Sequence, residues 1–344
     1  MSDTARLLVI VNNAAARARR AWPSVRAALE GAGVRYEMHA TVCKGDARTR
    51  TRDALGQGFA TIAAVGGDGT LSEVASGFFE PCDALAAEEL PRAINPRAAL
   101  AVLPSGTGDD FARGLAGGTR EPLEVWLRRL VAHASAHDGV EGVEGEVEVE
   151  SASVETTRVV DVLSGSATGG ESRFVCLNAA TLGIGAEVAA RVAAQRGVIL
   201  RLSGEARFAL AAVRALAAWR EREMRVQVDG GAWRSCRTNI AAVMSGTHAG
   251  GGMNFSPHAK PDDGLLDVVT AQDLTRREIV REMARIHSGG HLSNPKVRVE
   301  RGRRVRIDTA DPNDPLGVEA DGEPRGHTPV EFRVIASALR VVWG

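Results

Sequence analysis

Residues 6–11 (RLLVIV) form an uninterrupted apolar run of strand length, the pattern of a strand covered on both faces. A polar turn, Asn12-Asn13, leads into a stretch where Val25, Ala28 and Leu29 recur at helical spacing. Pro23 reads as part of that helix's first turn, and Gly31 and Gly33 close it. Residues 34–42 predict a second strand, and Asp46 an N-cap for a helix through Leu55. A third buried strand, 61–65 (TIAAV), runs into Gly66-Gly67-Asp68-Gly69-Thr70 and a helix over residues 71–79. A fourth, residues 100–103, runs into Pro104-Ser105-Gly106-Thr107-Gly108. This alternation predicts a doubly wound α/β domain over residues 1–131.

The pattern then changes to short alternating runs at 158–163, 173–177, 224–228, 238–244, 265–270, 296–300 and 305–308. They predict a largely antiparallel, β-sandwich-like second domain over 132–324. Two helices interrupt it, at 203–223 and 274–287. A final strand at 338–343 makes the segment 325–344 a candidate to return to the first domain. An insertion at 134–157 includes 138–155, where seven acidic side chains alternate with valine and glycine. It reads as a mobile, exposed hairpin without chemistry, because like charges repel and no His or Cys lies close enough to build a metal site.

The 344 residues exceed what a single core usually supports, in keeping with two domains. The 42 Lys+Arg against 43 Asp+Glu leave a net charge of −1, which speaks against a nucleic-acid binder. Only Lys44, Lys260 and Lys296 are lysines, and none follows a glycine. A Walker A loop and the protein-kinase motif set are therefore excluded. Cys43, Cys82, Cys176 and Cys236 are too far apart for a C-x-x-C pair and read as isolated, buried thiols. No run reaches the length of a membrane span, so the expected location is cytoplasmic, with any membrane contact peripheral, at the inner face.

The candidate chemistry lies in the two glycine-rich turns. Glycines after a buried strand let backbone N–H groups approach an anion at a helix N-terminus. Asp68 is the odd member, since a carboxylate repels phosphate unless a cation such as Mg²⁺ lies between them. The bland alternative is a structural turn that Asp68 merely caps. A second glycine-rich turn, continuing as Asp109-Asp110-Phe111-Ala112-Arg113, favours a shared phosphate site at one sheet edge.

At these residues the chain resembles the diacylglycerol kinase catalytic-domain family in its soluble bacterial lipid-kinase form. The resemblance rests on GGDGT at 66–70, GTGDDFAR at 106–113 and Thr41 followed by Lys44-Gly45-Asp46-Ala47. It continues in Phe174–Asn178, in Leu182–Val188, in Pro257–Asp267 with its D-D-G-x-L-D core, and in Asp321-Gly322-Glu323. It implies ATP-dependent phosphoryl transfer to the free hydroxyl of a lipid, diacylglycerol or a relative, with transient membrane contact; a homodimer is compatible with it. It further implies that Thr41, Gly66, Gly67, Asp68, Gly69, Thr70, Gly106 and Thr107 line the nucleotide site. Asp321 would be the general base, with Glu323 beside it and Asp68 among the catalytic groups. Lys260, Asp263 and Leu265 would hold a structural Mg²⁺.

Two positions depart from the family pattern: Asn13 stands where proline is usual, and Asp109 where asparagine is usual. Asp109 adds negative charge near the nucleotide and calls for a compensating cation, for which Arg113 is a candidate. The alternatives are a kinase of a soluble acceptor, as in NAD kinases, and a non-catalytic lipid- or nucleotide-binding module. Gly250-Gly251-Gly252 reads as a flexible loop near the site, and the apolar stripe at 203–219 as packing.

Overall fold

The structure is a computed structural model that describes residues 6–81, 89–138, 156–169, 173–197, 199, 202 and 204–343. Cys82, Ser203 and residues 139–155 of the acidic insertion lie outside the described residues.

The first half is β1 (Leu7–Val11), α1 (Ala16–Gly31), β2 (Tyr36–Ala40), α2 (Asp46–Gly56), β3 (Thr61–Gly66), α3 (Asp68–Gly77), β4 (Ala99–Pro104), α4 (Asp110–Leu115) and α5 (Leu123–Asp138). Its strands run parallel, with β1 between β2 and β3 and with β4 beside β3. Every residue of β1 and β3 is buried, as their unbroken apolar runs require.

The second half is β5 (Thr157–Thr168), β6 (Arg173–Cys176), β7 (Ala179–Gly183), α6 (Ile184–Ala193), α7 (Gly204–Ala218), β8 (Arg222–Val228), β9 (Arg234–Met244), β10 (His248–Ala249), β11 (Met253–Asn254), β12 (Leu266–Gln272), α8 (Arg276–Arg285), β13 (Val297–Gly302), β14 (Arg304–Thr309), β15 (Gly317–Ala320) and β16 (Glu323–Val342). The strand pairs within this half are antiparallel. The architecture is thus an α/β domain followed by an antiparallel β-rich domain.

One strand joins the two. β16 lies antiparallel to β5, β14 and β15, and its last residues pair parallel with β4 at Arg340↔Ala99 and Val341↔Leu100. Leu339, Val341 and Val342 join the core of the α/β domain, while Phe332 and Val330 join the β-rich core. Between them the register shifts from Ile335 to Leu339, around Ser337 at φ +50°. The buried Asp161 of β5 pins this irregularity by accepting from Ser337 N at 2.8 Å. At the chain's end Trp343 meets Trp126 of α5 edge to face, and the Arg129 guanidinium lies over both rings at 4.7 and 4.0 Å.

Several local expectations are corrected. Pro23 sits inside α1 and not in its first turn. The helix starts earlier, because Asn12 Oδ1 accepts from the N–H groups of Ala14 and Ala15 and small alanines follow. Asp46 is not the cap of α2. Gly45, at φ +85°, takes that place, and the Asp46 carboxylate accepts from Val42 N at 2.8 Å and faces His39. α7 ends at Ala218, short of Glu223, since residues 222–228 are claimed by pairing with β9 and β14. Cys43 is exposed, whereas Cys176 and Cys236 are buried free thiols.

Candidate active site

β3 and β4 are neighbours in register, Gly66 opposite Pro104, so both glycine-rich turns leave the same sheet edge. Ser105 N donates to the Gly66 carbonyl at 2.8 Å and ties the turns together. They meet backbone to backbone: a Cβ on Gly106 would lie 2.6 Å from Gly67 Cα. Any side chain at Gly106 would push the turns apart. Thr70, in the first turn of α3, accepts from Asn12 Nδ2 at 2.7 Å, which fixes the β1 end against the same turn.

Asp68 begins α3 but does not cap it. Its Oδ1 instead accepts from Asp110 N (2.7 Å) and Phe111 N (3.4 Å), the first amides of α4. The first turn thereby holds the second turn's helix. Burial, then the neighbouring carboxylates of Asp110 and Asp109, push the Asp68 carboxyl up to about 7. Asp110 is itself buried and accepts from Gly251 N at 2.7 Å and Gly252 N at 2.6 Å. Burial drives its carboxyl upward and these two amides oppose that. The triglycine loop, with φ of +67°, +89° and +100°, is thus a fixed clamp on Asp110 and not a slack segment.

Asp109 lies in the left-handed region at φ +50° and is buried. Its Oδ1 accepts from Gly106 N at 2.8 Å and its Oδ2 from Arg120 at 2.7 Å. The compensating cation is Arg120, not Arg113, whose guanidinium lies against Gly252. Arg17 and Arg120 both donate to the Gly106 carbonyl, at 2.7 and 2.8 Å, bringing two positive charges to the turn's mouth. Thr107 is exposed there. Thr41 N bonds to the Val11 carbonyl, and the loop that follows reaches α3 through Gly45 N to Glu73 Oε1 at 3.0 Å.

Asp321 occupies the tight turn between β15 and β16, at φ +48°, followed by Gly322 at φ +85°. Its carboxylate accepts five hydrogen bonds. Oδ2 takes Leu177 N and Ser72 Oγ, both at 2.8 Å. Oδ1 takes Asn178 N (3.1 Å), Ala179 N (3.2 Å) and the Cys176 thiol (3.2 Å). Burial first, then Asp321 itself, raise the Cys176 thiol well above its ordinary range, so it stays a neutral donor. Beneath the turn, buried Glu319 accepts from Gly322 N and from the Thr181 hydroxyl (2.5 Å), and burial pushes its carboxyl up to about 7. Glu323 is ion-paired with Lys44 from the loop after β2.

The Lys260–Leu265 loop is anchored elsewhere. Asp161 accepts from Gly264 N at 2.6 Å, and Arg158 pairs with Asp262 at 2.7 Å. Asp263 accepts from Leu265 N at 3.1 Å and pairs with Arg301, which also binds Asp267 at 2.7 Å. A cation at this loop would therefore compete with Arg301 for the Asp263 carboxylate. Among the described residues, no group of three or more His, Cys, Asp or Glu side chains is arranged to hold a metal ion. A hollow of about 370 Å³ lined by Arg220–Glu223, Thr309–Asp311 and Asp314 shares no residue with either carboxylate site.

Asp110, Ser72 and Arg120 are the site residues that motif reading did not single out. The signals available were the doubled aspartate at 109–110 and the four-residue spacing of Asp68 and Ser72 along one helix face.

Residues 6–140 match the diacylglycerol kinase catalytic domain, and residues 179–343 the YegS C-terminal NAD kinase beta sandwich-like domain. A Pseudomonas aeruginosa (strain UCBPP-PA14) protein named "Probable lipid kinase YegS-like" is 30% identical over 92% of this chain and 87% of its own. A Bacillus subtilis (strain 168) protein named "Diacylglycerol kinase" is 26% identical over 91% and 87%. In fold, the chain is similar to a diacylglycerol kinase from Bacillus anthracis str. Sterne, with a TM-score of 0.64 at 18% identity, covering 100% of this chain and 98% of that one. Fold, glycine turns and relatives together define a two-domain kinase. The chain belongs to the diacylglycerol kinase catalytic-domain family, with the C-terminal domain of the YegS-like lipid kinases. Use of ATP follows from the kinase family. No described helix is long and apolar enough to cross a membrane.

Proposed function

We propose that this kinase transfers the γ-phosphoryl group of ATP to a lipid alcohol, diacylglycerol or a related lipid. The observation that carries the proposal is the hydrogen bond between Asp321 and Ser72. Ser72 lies one turn after Asp68 on α3, so the carboxylate of the phosphate-binding turn and that of the β-rich domain face one place. Phosphoryl transfer needs positioning, charge neutralisation and a carboxylate beside the acceptor, which are the elements gathered there.

In this reading Gly66, Gly67, Gly69, Thr70, Gly106, Thr107 and Thr41 line the nucleotide site, and backbone N–H groups at the start of α3, those of Gly67 and Gly69, take the place of a P-loop lysine. Arg17 and Arg120 add positive charge at the turn's mouth. The Asp68 carboxylate is a hard oxygen donor, and burial first, then the carboxylates of Asp110 and Asp109, push it upward. One such carboxylate, completed by phosphate oxygens and water, fits Mg²⁺, with Asp68 as the residue that would hold it; the ion would neutralise phosphate charge. Asp321 takes the proton of the lipid hydroxyl. Lys44 holds Glu323 beside that turn. The pairing of Asp109 with Arg120 removes the charge argument for a non-catalytic module. A lipid acceptor implies transient contact with a membrane surface.

A lipid panel with labelled ATP tests the proposal, with NAD as a soluble acceptor in a parallel arm. Label in diacylglycerol or a related lipid is expected. Label in NAD with none in any lipid would overturn the reading.

A further inference from the structure

We propose that Ser72 is a positioning residue for Asp321, coupling the acceptor-side carboxylate to the helix that begins at the phosphate-side turn. The inference rests on the reading of Asp321 as the base. Of the five donors to the Asp321 carboxylate, four come from the β-rich domain: Cys176, Leu177, Asn178 and Ala179. Ser72 is the one of the five that comes from the α/β domain. Its bond therefore reports the placement of α3, and with it of Asp68, relative to the base.

The donors also differ in kind. The three amides are fixed by backbone, and the Cys176 thiol is engaged with the Ala179 carbonyl as well. The Ser72 hydroxyl sits on a single rotatable bond and can both donate and accept. It bonds to Oδ2, which carries one amide where Oδ1 carries two amides and the thiol. Oδ2 is thus the oxygen with room for an acceptor hydroxyl. When that hydroxyl docks there, Ser72 is the donor able to turn aside, with the three amides keeping the carboxylate's orientation. Ser72 is itself 7% exposed, so water does not readily replace it.

Other charged groups face this turn. Cys176 lies on β6, Glu319 on β15, and Glu323 with its partner Lys44, together with Arg325, on the β16 side. Cys176 donates to Oδ1, Glu319 accepts from Gly322 N and Glu323 pairs with Lys44. Without Ser72, Oδ2 keeps one of its two donors and kcat falls while ATP binding stays in place.

The test compares wild type, Ser72→Ala, Ser72→Cys and Asp321→Asn, with melting temperatures recorded for all four. Ser72→Ala is expected to lower kcat roughly tenfold, with KM for ATP within about twofold. Ser72→Cys, nearly the same size with a weaker donor, falls between, and covers the case in which the alanine variant fails to fold. An unchanged kcat in a folded Ser72 variant, with Asp321→Asn inactive, overturns the positioning role and leaves the base reading intact. Activity in Asp321→Asn overturns the base reading and this inference with it.

Discussion

The two carboxylates that face the proposed reaction, Asp68 and Asp321, are provided for in opposite ways. Asp321 has five donors, three of them backbone amides of one strand turn. Asp68 shares its surroundings with two further carboxylates, and two amides answer it, one of them at 3.4 Å. The first is a carboxylate oriented by the protein. The second is a charge the protein leaves in deficit, which suits a place where a cation arrives with its phosphate. On the proposed reading, the difference teaches that the β-rich domain supplies a finished group, while the α/β domain supplies a site completed by its ligand.

The largest effect is expected from removing the finished group. Asp321→Asn keeps size and shape but cannot take a proton, and kcat should fall by roughly 10³, with a lower melting temperature because the amide nitrogen meets donors where an oxygen accepted them. Steady-state transfer to a lipid acceptor checks this; full activity would break the comparison at its stronger side.

Arg120→Gln tests the deficit side. It leaves buried Asp109 with Gly106 N as its remaining close donor and adds uncompensated charge beside Asp68. Apparent affinity for ATP should weaken by about fivefold to tenfold, with a lower melting temperature. Nucleotide titration and thermal melts read both effects.

A smaller effect concerns the support beneath Asp321. Burial holds Glu319 at about 7, above its ordinary 4.5, so folding favours its protonated form. The stability this confers is complete below about pH 4.5 and is lost as pH climbs through 7. Glu319→Gln should flatten that loss, by up to about 3 kcal/mol between pH 5 and 8. Denaturant unfolding of wild type and variant at the two pH values measures it, and parallel pH dependence in both would assign the loss to other groups.

Much of the α/β half was legible because its strands are buried on both faces and leave continuous apolar runs such as 6–11 and 61–65. The glycine turns were legible because Gly67 and Gly106 face each other at a distance that no side chain tolerates. Less was visible where pairing overrides pattern. Most of β16 went unread because Gly326 and Pro329 interrupt its alternation, yet bulges at His327–Val330 and Ile335–Leu339 keep it one strand. β7 and β15 are too short to stand out, although β7 begins at one of the amides that hold Asp321 and β15 leads into its turn. The Arg120–Asp109 pair and the Ser72–Asp321 bond are products of folding: the first closes the loop after α4, and the second spans 249 positions.

The division of labour between the two carboxylates is tested most directly by calorimetric titration of ATP, with Mg²⁺ present, into wild type, Asp68→Asn and Asp321→Asn. The account predicts that Asp321→Asn binds within about threefold of wild type, whereas Asp68→Asn loses about thirtyfold or more. Equal losses in the two variants, or a greater loss in Asp321→Asn, would contradict it.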